Sequence, residues 1–111
     1  MGSEKIVSWI SINLSPFEQL IEICFVFGSI ARGSQNPGDC DLLIVSKADS
    51  SKKDWFFLRQ ELNGMKQSFN HKFCLELSIL LMSSREYQQE IDEIEIRFAP
   101  RIIIFLAENR F

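Results

Sequence analysis

The chain of 111 residues lacks the features that define several large classes of protein. Positive charge is not in excess, because 12 lysines and arginines stand against 15 acids and the formal net charge is −3. Nucleic-acid-binding domains concentrate basic residues, so the composition gives no strong signal for a nucleic-acid partner. No apolar run approaches the roughly 20 residues that span a bilayer, so we expect no membrane association.

Cysteine, proline and glycine are also scarce. Three cysteines, an odd number without paired spacing, argue against a disulfide framework and against a zinc site. We expect all three to be reduced side chains in a cytoplasmic protein. No low-complexity linker divides the chain, and an apolar fraction of 46% is ordinary for a globular protein. We therefore expect one domain over residues 1–111.

Apolar periodicity predicts the order of the secondary-structure elements. Two short helices are expected before residue 24, the second capped by Ser15, and a longer helix spans residues 55–69. A further helix begins at a capping box at Ser83, and apolar residues then alternate over 94–98. The predicted strands lie at 24–27, 40–46, 72–82 and 102–106. This order predicts an α/β (α+β) fold, with a mixed sheet of four or five strands and helices packed mainly on one face.

The segment 25–45 is the most informative about function. An apolar run ends in Gly28 and Ser29, a polar loop follows, and Asp39 and Asp41 open a second apolar run. Because side chains two apart on a strand project to the same face, both carboxylates are expected in one site. Two carboxylates that close repel one another, so a proton or a cation must neutralise them. Mg²⁺ binds one or two carboxylates together with substrate phosphates, and the segment therefore predicts a nucleoside-triphosphate site.

This segment resembles the signature of the nucleotidyltransferase superfamily related to DNA polymerase beta. The resemblance rests on Gly-Ser at 28–29, nine intervening residues, and Asp-x-Asp at the start of a strand. The continuation at 30–33 and the apolar run at 42–45 strengthen it. The similarity is greatest to the minimal nucleotidyltransferases, which are single small catalytic domains. It covers nearly the whole chain in element order, but its motif is specific only over 25–45.

The resemblance implies a role for each part of the loop. Gly28 and Ser29 would bind the phosphates of ATP or another nucleoside triphosphate, and Gly28 would let the backbone approach them. Arg32 and Gly33 belong to the same nucleotide-binding segment. The Arg32 guanidinium can bond phosphate oxygens in pairs, although a solvated loop arginine is an equal alternative.

The resemblance also implies a set of metal ligands. Asp39 and Asp41 would hold Mg²⁺, and a third carboxylate on a later strand would complete the site and act as base for the attacking hydroxyl. Glu76 is the candidate, because it is the acid on the partly open face of the strand predicted at 72–82. Ser78 is the alternative occupant of that position, and the site would then lack its base.

The resulting hypothesis is a metal-dependent transferase that moves a nucleoside monophosphate, AMP in the simplest case, to an acceptor hydroxyl. The resemblance implies an acceptor surface from a helical HEPN-type partner or a homodimer, as in toxin–antitoxin pairs where the transferase is the antitoxin. A catalytically impaired binding module and an aminoglycoside-type small-molecule nucleotidyltransferase stay open as alternatives.

Overall fold

A computed structural model describes residues 3–47 and 51–106 of the chain. In chain order its elements are α1 (Ser3–Leu14), a 3-10 helix (Ser15–Leu20), β1 (Ile21–Phe27), β2 (Asp39–Ser46), α2 (Lys52–Phe73), β3 (Glu76–Met82), α3 (Ser84–Gln89), α4 (Ile91–Arg97) and β4 (Ile102–Leu106).

The four described strands form one mixed sheet in the order β3-β2-β1-β4. β1 is antiparallel to both β2 and β4, whereas β2 and β3 are parallel. The α+β architecture predicted from the sequence is therefore confirmed. The alternating apolar residues over 94–98 do not form a strand, because residues 91–97 are the helix α4, in which Ile94 is buried and Ile96 is 79% exposed.

The sheet carries helices on both faces, with the two long helices on one of them. α1 and α2 pack there over alternate strand residues such as Cys24, Leu42 and Ile44. The short helices α3 and α4 contribute Tyr87 and Ile94 to a smaller core on the opposite face. Because successive side chains on a strand alternate between faces, the odd-numbered residues of β2 belong to this second face.

Element boundaries differ from the sequence-based expectation in two places. α2 continues to Phe73 and ends at Cys74, whose φ of 57° is left-handed, so β3 begins at Glu76 rather than at residue 72. Ser15 does not cap the second helix, because its hydroxyl donates to the carbonyl oxygen of Ile12 at 2.8 Å. The capping box at Ser83 is confirmed, since its hydroxyl accepts from the backbone N–H of Glu86.

Two expectations from the sequence concern membrane-spanning helices and the state of the cysteines. None of their helices is both long and apolar enough to cross a membrane. Cys24, Cys40 and Cys74 are all free thiols, the first two of them buried in the core and the third exposed.

Candidate active site

The antiparallel pairing of β1 with β2 brings the two halves of the segment 25–45 together. Phe27, the last residue of β1, lies opposite Asp41 in β2. Asp39 and Asp41 alternate along β2, which keeps an unbroken register with β3 from residue 39 to residue 45. Their side chains therefore leave the sheet on the same face, as the sequence predicted. Both are partly exposed at the start of the strand.

The loop after β1 is a tightly wound turn. The N–H of Arg32 donates to the carbonyl of Gly28 at 3.1 Å, and the N–H of Ser34 donates to the carbonyl of Ser29 at 3.0 Å. Ile30 anchors the turn in the main core, where it is buried. The Ser29 hydroxyl reaches the carbonyl oxygen of Asp39 at 3.5 Å, which connects the turn to the start of β2. The first N–H groups of such a turn have no partner within it and can bind an anion.

Gly28 is where the backbone meets the carboxylate of Asp41. Its φ of +77° is left-handed, which favours glycine. A Cβ added at Gly28 would overlap Oδ2 of Asp41 and lie 3.2 Å from its Cγ. A side chain at residue 28 would therefore displace the carboxylate. Close approach of the turn to Asp41 is thus the structural reason for glycine here.

Charge at the site is partly balanced. Burial raises the pKa of Asp41 above its ordinary value of 3.8, repulsion from Asp39 raises it further, and the Arg32 guanidinium opposes both effects. The same two carboxylates add to the effect of burial on Cys40, whose pKa is raised to about 12. Asp39, Asp41 and Arg32 are therefore close enough to interact electrostatically, and a cation at the aspartates would relieve the repulsion.

The parallel strand β3 borders the aspartates on one side. Glu76 is the register partner of Asp39, and Ser78 is the register partner of Asp41. Both side chains are exposed on the same face as the aspartates. Within residues 3–47 and 51–106, however, no three acidic, histidine or cysteine side chains are grouped so that they could hold a metal together. The geometry provides a pair of carboxylates, which fits Mg²⁺ when substrate phosphates supply further ligands. The role of Glu76 stays a prediction.

The two remaining loop residues take different positions. Arg32 is exposed and close enough to act on the charge of Asp41. Gly33 also has a left-handed φ, +80°, but a Cβ there would meet nothing within 4 Å. It lines a separate cavity of about 500 Å³ with residues of α1 and the end of α2. Its proximity to a nucleotide stays a prediction.

Phe27 is a neighbour of the site that the sequence reasoning did not single out. It lies opposite Asp41 in the register, and its ring packs on Phe98 with 4.4 Å between centroids. Both rings are partly exposed. The motif gives no signal for this contact, because Phe98 follows α4 and only the tertiary packing brings it to β1.

Comparisons with known proteins identify the family and support the fold. The sequence profile of the nucleotidyltransferase domain family matches residues 14–110. The chain belongs to this family. The match includes both halves of the segment 25–45 and every strand of the sheet.

One solved structure supports the fold. A candidate nucleotidyltransferase from Sulfolobus solfataricus is similar with a TM-score of 0.57 and 15% identity, over 98% of this chain and 87% of that chain. A crystal structure of a mutant of the toxin–antitoxin complex MntA–HpeT has a TM-score of 0.42 and 15% identity, over 97% of this chain and 76% of that chain. No functionally curated protein gives a match.

The contact between Gly28 and Asp41 can be tested by paired substitutions. Gly28→Ala and Gly33→Ala both place a Cβ on a left-handed residue and should each lose about 1–2 kcal/mol of unfolding free energy. Gly28→Ala should lose more, because its methyl group also displaces the Asp41 carboxylate. In an Asp41→Ala background, Gly28→Ala should no longer lose more unfolding free energy than Gly33→Ala. Urea unfolding measures both losses. Equal losses for the two glycines in the unmodified background would contradict the contact.

The charge on Asp41 predicts a pH dependence of stability in metal-free buffer. Since the pKa of Asp41 is raised on folding, the folded state holds this proton more tightly than the unfolded state. The free energy of unfolding should therefore decrease as pH rises above 3.8 through the raised pKa, and it should stay lowered at neutral pH. Asp41→Asn should remove this decrease and be more stable than the unmodified protein at neutral pH. Glu61→Gln, at an exposed position of α2, serves as the control and should leave the decrease in place.

Proposed function

We propose that this nucleotidyltransferase moves a nucleoside monophosphate, AMP in the simplest case, from a nucleoside triphosphate to a hydroxyl group of an acceptor. The observation that carries the proposal is the contact of Gly28 with Asp41, beside a second carboxylate on the same face. That arrangement combines a close-approach turn, which suits phosphates, with a carboxylate pair, which suits a divalent cation.

Each group in the site has its own role in this proposal. Backbone N–H groups of the turn and the Ser29 hydroxyl donate to phosphate oxygens and position the α-phosphorus. Asp39 and Asp41 would hold Mg²⁺, which supplies charge neutralisation for the phosphates when bound. The exposed Arg32 side chain can pair with the same oxygens. The acceptor oxygen forms the new bond to the α-phosphorus, the bond to the bridging oxygen breaks, and pyrophosphate leaves.

The acceptor hydroxyl must lose its proton during this displacement. Glu76 is the proposed base, because it lies beside Asp39 on the face from which an acceptor would approach. A carboxylate in this position can take the proton directly as the bond to phosphorus forms. Its exposure leaves room for an acceptor.

A partner protein is the proposed acceptor, in the manner of a toxin–antitoxin pair in the cytoplasm. Large apolar side chains are exposed on both sides of the sheet, Phe56 of α2 at 61% and Ile103 of β4 at 52% among them, and such side chains suit contact with a protein partner. A helical HEPN-type protein or a second copy of this chain would provide the acceptor in this proposal.

A second candidate function is a nucleotidyltransferase-like binding module without catalysis. It is favoured by one observation, the absence of a grouped third metal ligand among the described residues. Ser78, rather than an acid, lies directly opposite Asp41. Such a module would bind its partner through its exposed apolar side chains without transferring a nucleotide.

Binding of ATP tests the proposed site without knowledge of the acceptor. Calorimetric titration with ATP should show a saturable binding component that is present in Mg²⁺ and weakens by at least about tenfold in EDTA, because a cation must offset the repulsion between the two aspartates and a polyphosphate. Asp39→Asn and Asp41→Asn should each weaken this Mg²⁺-dependent component by a similar factor. Glu61→Gln is the matched control and should retain it. An Mg²⁺-dependent component of unchanged affinity in both asparagine variants would contradict the proposed site.

Transfer of label distinguishes the enzyme from the binding module. With ATP labelled at the α-phosphate and a candidate helical partner, Glu76→Gln should lower the transfer rate by about 100-fold or more, because it removes the base. Ser78→Ala, two residues along the same strand and face, should retain most of the rate. Partner binding without any label transfer by the unmodified protein would favour the module. The reverse pattern, with Ser78→Ala inactive and Glu76→Gln active, would reject Glu76 as the base.

A further inference from the structure

A second cavity, of about 540 Å³, lies at the end of the sheet opposite to the aspartates. It is formed where β2 ends at Ser46 and where β3 leads into α3. Its described lining residues are Ser46, Lys47, Ser51, Lys52, Trp55, Ser83, Ser84 and Arg85. From Asp41 to Ser46 the strand advances roughly 15–20 Å at 3.3 Å per residue. The cavity is therefore a different place from the candidate active site.

The charged residues that line the cavity all have the same sign. Lys47, Lys52 and Arg85 contribute side chains to it, and its described lining contains no carboxylate. Both ion pairs among the described residues involve acids of α4 instead. Among residues 3–47 and 51–106, these three cations have no ion-pair partner, in a chain whose formal net charge is −3. Such a cavity attracts an anion.

Two nearly buried hydroxyl groups face the same space. Ser46 is 2% exposed and Ser84 is 7% exposed. Neither serine side chain makes a hydrogen bond to another described residue. Every polar side-chain atom that is fully enclosed within the described part of the chain does have a hydrogen-bond partner. The two hydroxyl oxygens are therefore not fully enclosed, and both serines line the cavity. A ligand oxygen there would satisfy them.

The N-terminus of α2 adds further donors. This helix has 22 residues and begins at Lys52, so its first N–H groups and its dipole favour negative charge near the cavity. The neighbouring acid Asp54 is engaged locally, since its Oδ2 accepts from the N–H of Ser51 at 3.3 Å. Glu86 likewise accepts from the N–H of Ser83 at 2.8 Å. Both carboxylates are thus directed to the backbone.

Size and the aromatic lining indicate the class of anion. A volume of about 540 Å³ is in the range of small-molecule sites and exceeds what a single phosphate needs. Trp55 is partly exposed and lines the cavity beside the cations. An indole ring stacks on a nucleobase, as in many nucleotide-binding grooves. The position also follows the rule that open α/β sheets bind ligands outside the carboxyl ends of parallel strands.

We infer that this cavity is a second nucleotide site, independent of Asp39 and Asp41, which binds a phosphate-bearing nucleotide without a metal. Lys47, Lys52 and Arg85 pair with the phosphate oxygens, Ser46 and Ser84 donate to them, and Trp55 stacks on the base.

The test isolates the second site. Trp9→Phe leaves Trp55 as the chain's one tryptophan, and Asp39→Asn with Asp41→Asn removes the candidate active site. This triple variant, in EDTA, is titrated with ATP, AMP, adenosine and inorganic pyrophosphate while Trp55 fluorescence and heat are measured. ATP and AMP should bind with a stoichiometry of one and quench Trp55. Adenosine should bind at least tenfold more weakly, and pyrophosphate should compete with AMP without quenching Trp55.

Single substitutions in that background locate the binding. Ser46→Ala, Lys52→Gln and Arg85→Gln should each weaken AMP binding by about fivefold or more, which corresponds to about 1 kcal/mol. Lys72→Gln, at the other end of the same helix, should leave it unchanged. Thermal unfolding checks that each variant is folded.

Three results would overturn the inference. The first is the absence of saturable AMP binding to the triple variant. The second is adenosine binding as tight as that of AMP, which would exclude phosphate recognition. The third is AMP binding that all of the cavity substitutions leave unchanged. The inference and the proposed transferase fail separately, because this experiment contains neither the aspartate pair nor a metal.

Discussion

The structure of the site depends on the antiparallel pairing of β1 with β2. This pairing places Phe27 opposite Asp41, so the next residue, Gly28, turns the chain directly against the Asp41 carboxylate. The strand pairing then holds both ends of the loop of residues 28–38. The buried side chain of Ile30 fixes the loop near its start as well. The turn at Gly28 and the carboxylate pair meet because two adjacent strands share one hydrogen-bond register.

That proximity has an electrostatic cost. Burial raises the pKa of Asp41 above its ordinary value, and repulsion from Asp39 raises it further. Arg32 offsets only part of the effect. A fold that keeps two carboxylates together in this way is predisposed to bind a cation.

The parallel strands β2 and β3 have polar groups at both ends, for different reasons. At their N-terminal ends the register sets Glu76 beside Asp39 and concentrates negative charge. At their C-terminal ends the chain turns into helices, and Lys47, Lys52 and Arg85 concentrate positive charge around a cavity. Between the ends, the strands are buried under α1 and α2 on one face. One sheet thus has an acidic group of side chains at one end and a basic group at the other.

Local patterns in the sequence were sufficient for the order of elements, for the shared face of Asp39 and Asp41, and for the family. Alternation and helical spacing are properties of neighbouring residues, and the Gly-Ser to Asp-x-Asp spacing is itself a local signal. The same alternation was misleading at 94–98, because burial of Ile94 against the second face selected a helix there. Only the tertiary structure decided which residue of β3 lies beside each aspartate, and that Phe98 packs on Phe27. Strand register and packing between distant segments depend on contacts that no short stretch of sequence contains.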